Sequence, residues 1–226
     1  MHLIEMFPPP GLMPNGLQWT NEGLYVMDQH TDNVYVLDER GRVARTVYTR
    51  TENGSGITFG GGYLWTGSNG VTLSRPYRSW DTHLGLVYKL DPVTGDVVDR
   101  YLTPDGDGVH GLEWDDGLLW VTAFSPKALI LVDPSDFRVI RKFPVELERL
   151  HGLARDGDGI WCAHTADRVI VKYSVETGEE MDRITMPSDG PRPHGVSIKD
   201  GELWYCDANF PDEDRQPGPT IGKILR

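Results

Sequence analysis

Basic residues, cysteine and long apolar runs are all scarce in this chain. Its 226 residues hold 22 Lys and Arg against 34 Asp and Glu, a net charge of −12. No basic stripe is available to neutralise phosphates, so nucleic acid is not an expected partner, and solubility is explanation enough for the charge. No apolar run approaches the roughly 20 residues a membrane-spanning helix needs, so no membrane contact is expected. The opening stretch from Met1 to Phe7 lacks the basic start and long apolar core of a secretion signal, and a cytoplasmic setting is expected. Only two cysteines are present, Cys162 next to Trp161 and Cys206 two places after Trp204. That offset by one within a shared frame turns them to opposite strand faces, which argues for free thiols in a reducing compartment. A convincing helix signature is missing. So are a Gly-x-Ser-x-Gly elbow and, after Gly60-Gly61-Gly62, the Lys-Ser/Thr and helix of a phosphate loop. No nucleotide cofactor is expected.

What the chain has instead is one unit repeated five times. The stretch from Gly108 to Val121, with His110-Gly111-Leu112 and Leu119-Trp120-Val121, returns around His151-Gly152-Leu153 and Ile160-Trp161-Cys162. It returns again around His194-Gly195-Val196 and Leu203-Trp204-Tyr205, and earlier around Asn15-Gly16-Leu17 and Ser55-Gly56-Ile57. The opening glycines fall at Gly16, Gly56, Gly111, Gly152 and Gly195, at the spacing of four-stranded propeller blades. Too few residues follow Gly195 for a full unit, and residues 1–15 make up the deficit. Period-2 patterns give the strands of the first copy as Leu17 to Trp19, Leu24 to Met27, Val34 to Leu37 and Arg42 to Tyr48. Turn residues separate them, and the later copies use Asp91-Pro92, Asp133-Pro134 and Thr177-Gly178 for the last hairpin. The aromatics Tyr25, Trp65, Trp120, Trp161 and Trp204 recur on each second strand and read as wedge-filling core.

The expected fold is therefore all-β: a single domain over 1–226, a five-bladed β-propeller of four-stranded antiparallel blades. The blades run approximately over 16–55, 56–110, 111–151, 152–194 and 195–226 plus 1–15, with the N-terminal strand completing the last and leaving no free edge. The phrases Leu119-Trp120-Val121-Thr122, Val87-Tyr88-Lys89-Leu90-Asp91-Pro92 and Val34-Tyr35-Val36-Leu37-Asp38 resemble YVTN-type and quinoprotein-like propeller repeats. Virginiamycin B lyases belong to the same broad group, and plant-type glutaminyl cyclases resemble the chain in blade number. Such a resemblance implies architecture more than chemistry.

Chemistry is arguable from the loops of one face. The loops entering the first strands hold Asn15, Ser55, His110, His151 and His194; those after the second strands begin at Asp28, Ser68, Ala123, His164 and Asp207. His110, His151 and His194, at equivalent positions of successive blades, are candidate ligands for a divalent transition metal (Zn, Fe, Cu or Ni), with a coordination position left open. The same rings could instead bind substrate without a metal, or lock blades together. His164, His194, Asp207 and the channel residue Glu113 are candidate proton-transfer groups, Glu113 being equally readable as a blade contact. Arg192, Arg75, Tyr77, Asp28 and His30 are candidate substrate contacts, several of them on the long insertion from Gly67 to Gly85 or beside it. That insertion, and a second loop from Asp207 onward, read as a lid over a pocket. The lyase resemblance implies a Glu-x-His pair that holds magnesium and transfers a proton. His194 matches the histidine of that pair, but Arg192 stands where the glutamate would be and could hold a carboxylate. Asp105-Gly106-Asp107-Gly108 and Asp156-Gly157-Asp158-Gly159 resemble calcium-loop fragments, and for the second a turn is the simpler reading. The leading expectation is a small-molecule enzyme of lyase, isomerase or hydrolase type acting on an anionic substrate. A non-catalytic ligand or metal binder and a protein-interaction propeller are the alternatives.

Overall fold

The computed structural model describes residues 1–71, 74–104, 108–125, 127–208 and 218–226. The period-2 patterns become twenty strands in five antiparallel sheets, with no helix among the described residues. Blade one is β2 (Pro14–Trp19), β3 (Leu24–Asp28), β4 (Asn33–Leu37) and β5 (Val43–Tyr48). Blade two is β6 (Gly54–Gly60), β7 (Tyr63–Ser68), β8 (Leu86–Leu90) and β9 (Val97–Leu102). Blade three is β10 (Val109–Asp115), β11 (Leu118–Phe124), β12 (Lys127–Val132) and β13 (Val139–Pro144). Blade four is β14 (Leu150–Asp156), β15 (Gly159–His164), β16 (Val169–Ser174) and β17 (Glu180–Thr185). Blade five takes β18 (Pro193–Lys199), β19 (Glu202–Asp207) and β20 (Thr220–Leu225) from one end of the chain and β1 (His2–Phe7) from the other. β1 runs antiparallel to β20, with His2 opposite Leu225 and Glu5 opposite Gly222. The expected ring closure is thus made by strand pairing. Asp156 and Gly159 face each other across a turn with Gly157 at φ +59°, so turn chemistry accounts for that acidic run. Asp105-Gly106-Asp107 lies outside the described residues.

The repeated glycine has a packing cause. The inner strands β2, β6, β10, β14 and β18 lie side by side around the axis, and the glycine of each meets backbone of the next. A Cβ on Gly111 would sit 2.0 Å from the His151 carbonyl oxygen, and one on Gly16 2.3 Å from that of Ser55. Backbone cannot give way as a flexible side chain does, so the closed ring requires glycine there. The second-strand aromatics are buried between blades, Tyr25, Trp65, Trp120 and Trp161 at 2% exposure or less. Cys162 and Cys206 are free, buried and in different apolar clusters.

Side chains also tie each blade to the next. The backbone N–H of Trp19 donates to Ser197 Oγ (2.9 Å), that of Trp114 to Thr58 Oγ1 (3.0 Å) and that of Arg155 to Glu113 Oε1 (3.0 Å). Nearer the mouth, Thr122 Oγ1 donates to the His151 carbonyl (3.3 Å), Thr165 Oγ1 to that of Pro193 (2.7 Å) and Cys206 Sγ to that of Pro14 (3.2 Å). Each bond satisfies a backbone group that the buried inter-blade seam cuts off from water.

Candidate functional site

Strand register brings the two expected sets of loop positions to one face. Pro14 pairs with Asp28, Gly54 with Ser68, Val109 with Ala123, Leu150 with His164 and Pro193 with Asp207. The residues just before four of the inner-strand glycines, Asn15, His110, His151 and His194, then line the mouth of the channel. His110 and His151 have ring centroids 4.8 Å apart at 65°, and His151 and His194 are 4.8 Å apart at 72°. All three line a cavity of about 500 Å³, a volume suited to a small molecule. Blade one adds Met13, Asn15 and Gln29 to its wall, the insertion adds Asn69, Val71 and Ser74, and blade three adds Lys127, Glu148 and Arg149.

Hydrogen bonds fix how the rings present themselves. His151 Nδ1 is 2.9 Å from the Arg149 carbonyl and 2.9 Å from Thr165 Oγ1, whose own proton goes to Pro193. Both neighbours accept, so Nδ1 carries the hydrogen and Nε2 keeps its lone pair. His194 Nδ1 is 2.9 Å from the Arg192 carbonyl, which fixes the same tautomer; the Ala208 N–H, 3.5 Å away, is the weaker contact. Burial keeps the imidazoles neutral. It lowers His110 to about 3 with help from His194 and Arg149, and holds His151 well below its ordinary 6.5. Burial also lowers His194 to about 4, although the Asp207 carboxylate pulls the other way. The Arg149 charge acts on all three rings. The three rings therefore form a neutral, acceptor-rich wall near the Arg149 charge, with Arg192 acting on His194 as well.

The other expected residues are placed as follows. Asp207 lies beside His194, and its Oδ2 accepts the Arg192 N–H at 3.0 Å. His164 does not line the cavity; fully buried, its Nε2 receives the Tyr173 hydroxyl at 3.0 Å. Glu113 sits further along its inner strand as the tie to Arg155. Asp28 is buried with both oxygens occupied, by Met13 N at 2.7 Å and by Thr31 N and Oγ1 at 2.9 and 2.7 Å. Arg75, its side chain 1% exposed, pairs with Asp32 and Asp81, each at 2.7 Å. Arg78 also pairs with Asp32, and Glu52 accepts the Thr82 N–H (2.6 Å) and the His83 N–H (2.8 Å). Buried carboxylates of blades one and two thus seat the insertion as a docked cap. Tyr77 is exposed with its ring 4.6 Å from His83, and exposed His30 gives its carbonyl to Arg78; neither reaches the cavity. The second expected lid, from Asn209 onward, lies outside the described residues.

Gln29 and Asn69 are cavity residues that the sequence pattern missed. Each stands immediately after an aligned second-strand position, Asp28 or Ser68. Because Asp28 folds back into its own turn, the next residue takes the mouth. As for a metal, among the described residues no three His, Cys, Asp or Glu side chains are disposed to hold one. Adjacent imidazoles meet edge to face. The histidines converge as expected, but not in a ligand geometry.

No family model and no curated protein sequence matches the chain. Solved structures do. A glutaminyl cyclase from Myxococcus xanthus is similar with a TM-score of 0.73 at 12% identity, over 99% of this chain and 95% of that one. A luciferin-regenerating enzyme is similar with a TM-score of 0.62 at 11% identity, over 100% and 95%. Virginiamycin B lyase from Staphylococcus aureus gives 0.56 at 13%, over 94% of this chain and 66% of its own length. Identities this low show the fold alone: a propeller.

Proposed function

We propose that this protein is a small-molecule enzyme whose site is the cavity at the channel mouth, with an anionic substrate and proton transfer by histidine. The observation that carries the reading is the convergence of His110, His151 and His194 on one cavity of about 500 Å³ beside the Arg149 charge. Neutral imidazoles with Nε2 lone pairs are ready proton acceptors, and the exposed Arg149 guanidinium at the rim beside them favours a carboxylate. His194 is the proton carrier. Of the three rings it has Asp207 next to it, and that carboxylate stabilises the imidazolium formed when the ring takes a proton. His151, its Nδ1 held by two acceptors, orients the substrate. A lyase, isomerase or hydrolase reaction fits this set, since each turns on moving a proton next to a polarised carbonyl or leaving group. No step is assigned to a metal ion.

The test is a thermal-shift screen of small carboxylic acids against the wild type and His194→Gln, followed by turnover assays on each hit. A true ligand at a hundred times its Kd stabilises the wild type by about 2.7 kcal/mol. Its conversion falls by about 10²- to 10⁴-fold in the variant. Hits that the wild type leaves unchanged, or that the variant converts as fast as the wild type, would overturn the catalytic reading.

A further inference from the structure

Where blades three to five bring imidazoles to the mouth, blade one brings two amides. Gln29 is 2% exposed and lines the cavity, and its backbone N–H is fixed by the Met13 carbonyl at 2.9 Å. Its side chain is oriented by a short chain of hydrogen bonds. Ser55 Oγ shares its proton between the His110 carbonyl (3.1 Å) and Asn15 Oδ1 (3.3 Å). With its oxygen end taken by a donor, Asn15 gives its Nδ2 hydrogen to Gln29 Oε1. The oxygen of Gln29 is thereby occupied, and its Nε2 donates to no described residue. An amide nitrogen that opens on a cavity from a buried residue is served by water or by an accepting atom of a ligand. Its carrier, blade one, adjoins blade five with His194, so a donor and an acceptor stand on neighbouring walls.

We propose that Gln29 is a substrate-binding residue whose Nε2 hydrogens donate to a carboxylate oxygen, while the proton to be moved lies toward Nε2 of His151 and His194. The inference rests on the anion-binding reading above and sharpens it. The cavity selects a carboxylate bearing an acidic or transferable proton, recognised from neighbouring walls by a fixed donor and fixed acceptors. Ser55 and Asn15 act through Gln29 as positioning residues.

The experiment follows the side-chain amide resonances of Gln29 in the full-length ¹⁵N-labelled protein as acetate is added. The expected result is a saturable shift of both amide protons, and acetate binding at least tenfold weaker in Gln29→Met. If Arg149→Met abolishes acetate binding while Gln29→Met leaves it unchanged, the anion site stands and the role of Gln29 is refuted. If acetate binds none of the three proteins, both readings fall. The wild-type resonances need no variant to fold, and a crystal structure with the amide reversed, Oε1 toward the cavity, would equally overturn the proposal.

Discussion

Replacing Glu113 by glutamine should stabilise the protein, and only above a definite pH. Glu113 lies on an inner strand with Oε1 accepting the Arg155 N–H at 3.0 Å, across the seam between blades three and four. Burial pushes its carboxyl from an ordinary 4.5 up to about 8, and the Asp115 charge adds to this against the Arg155 N–H bond. The folded protein therefore holds a proton that the unfolded chain releases above 4.5. The stability linked to that proton is fully present below 4.5 and is lost as the pH rises toward 8. Each pH unit in that window is worth at most about 1.4 kcal/mol. Because the residue is only partly buried, solvent screening reduces the sum to about 2 kcal/mol at pH 8. Glutamine keeps the accepting oxygen and has no proton to lose. Guanidinium unfolding of both proteins at pH 4.5 and pH 8 should show near-equal stability at the lower pH and a more stable variant at the higher. An equal difference at both, or a variant less stable at pH 8, would show that the carboxylate is ionised and useful where it stands.

Further expectations follow from the same geometry. Gly152→Ala would place a Cβ 2.5 Å from Val196 N and 2.7 Å from Gly195 Cα; a loss of about 3 kcal/mol is expected by denaturant melt. Gly218→Ala, with no atom of the described residues within 4 Å of the added Cβ, should stay within about 0.5 kcal/mol. His164→Ala removes the acceptor of the Tyr173 hydroxyl and leaves a cavity, so it should lose about 3 kcal/mol without changing affinity for any ligand of the mouth. Arg75→Met leaves Asp32 and Asp81 without their buried partner and should cost about 3 to 5 kcal/mol by thermal unfolding. His110 and His194 have folded values, about 3 and 4, below their ordinary 6.5, so the stability tied to their neutral forms is present above 6.5. It should drain away as the pH falls toward 4, and His194→Asn should flatten that decline in an unfolding series.

The parts of this molecule legible in the sequence are those where geometry forces the same residue at every blade. Gly111 and Gly16 are glycine because neighbouring backbone occupies the Cβ position, and Trp120 and Trp161 are aromatic because the wedge between blades must be filled. A shared frame position likewise brought His110, His151 and His194 together in reading as in space. What stayed hidden depends on single partners. Nothing near Arg75 or Asp28 in the frame announces that Asp32 claims the one and Thr31 the other. His164 shares a register position with Asp207, yet a tyrosine one strand away draws it into the core. Gln29 reaches the mouth because Asp28 turns back, a choice made by local hydrogen bonds that no periodicity records.

The most direct measurement is the ¹⁵N histidine spectrum of the wild-type protein titrated with a carboxylate found by the screen. Saturation should shift the resonances of His110, His151 and His194 with one common dissociation constant and leave buried His164 unmoved. A ligand that instead perturbs the outer-rim groove of Tyr48, Arg50 and Trp80, with the three imidazoles unchanged, would contradict the site.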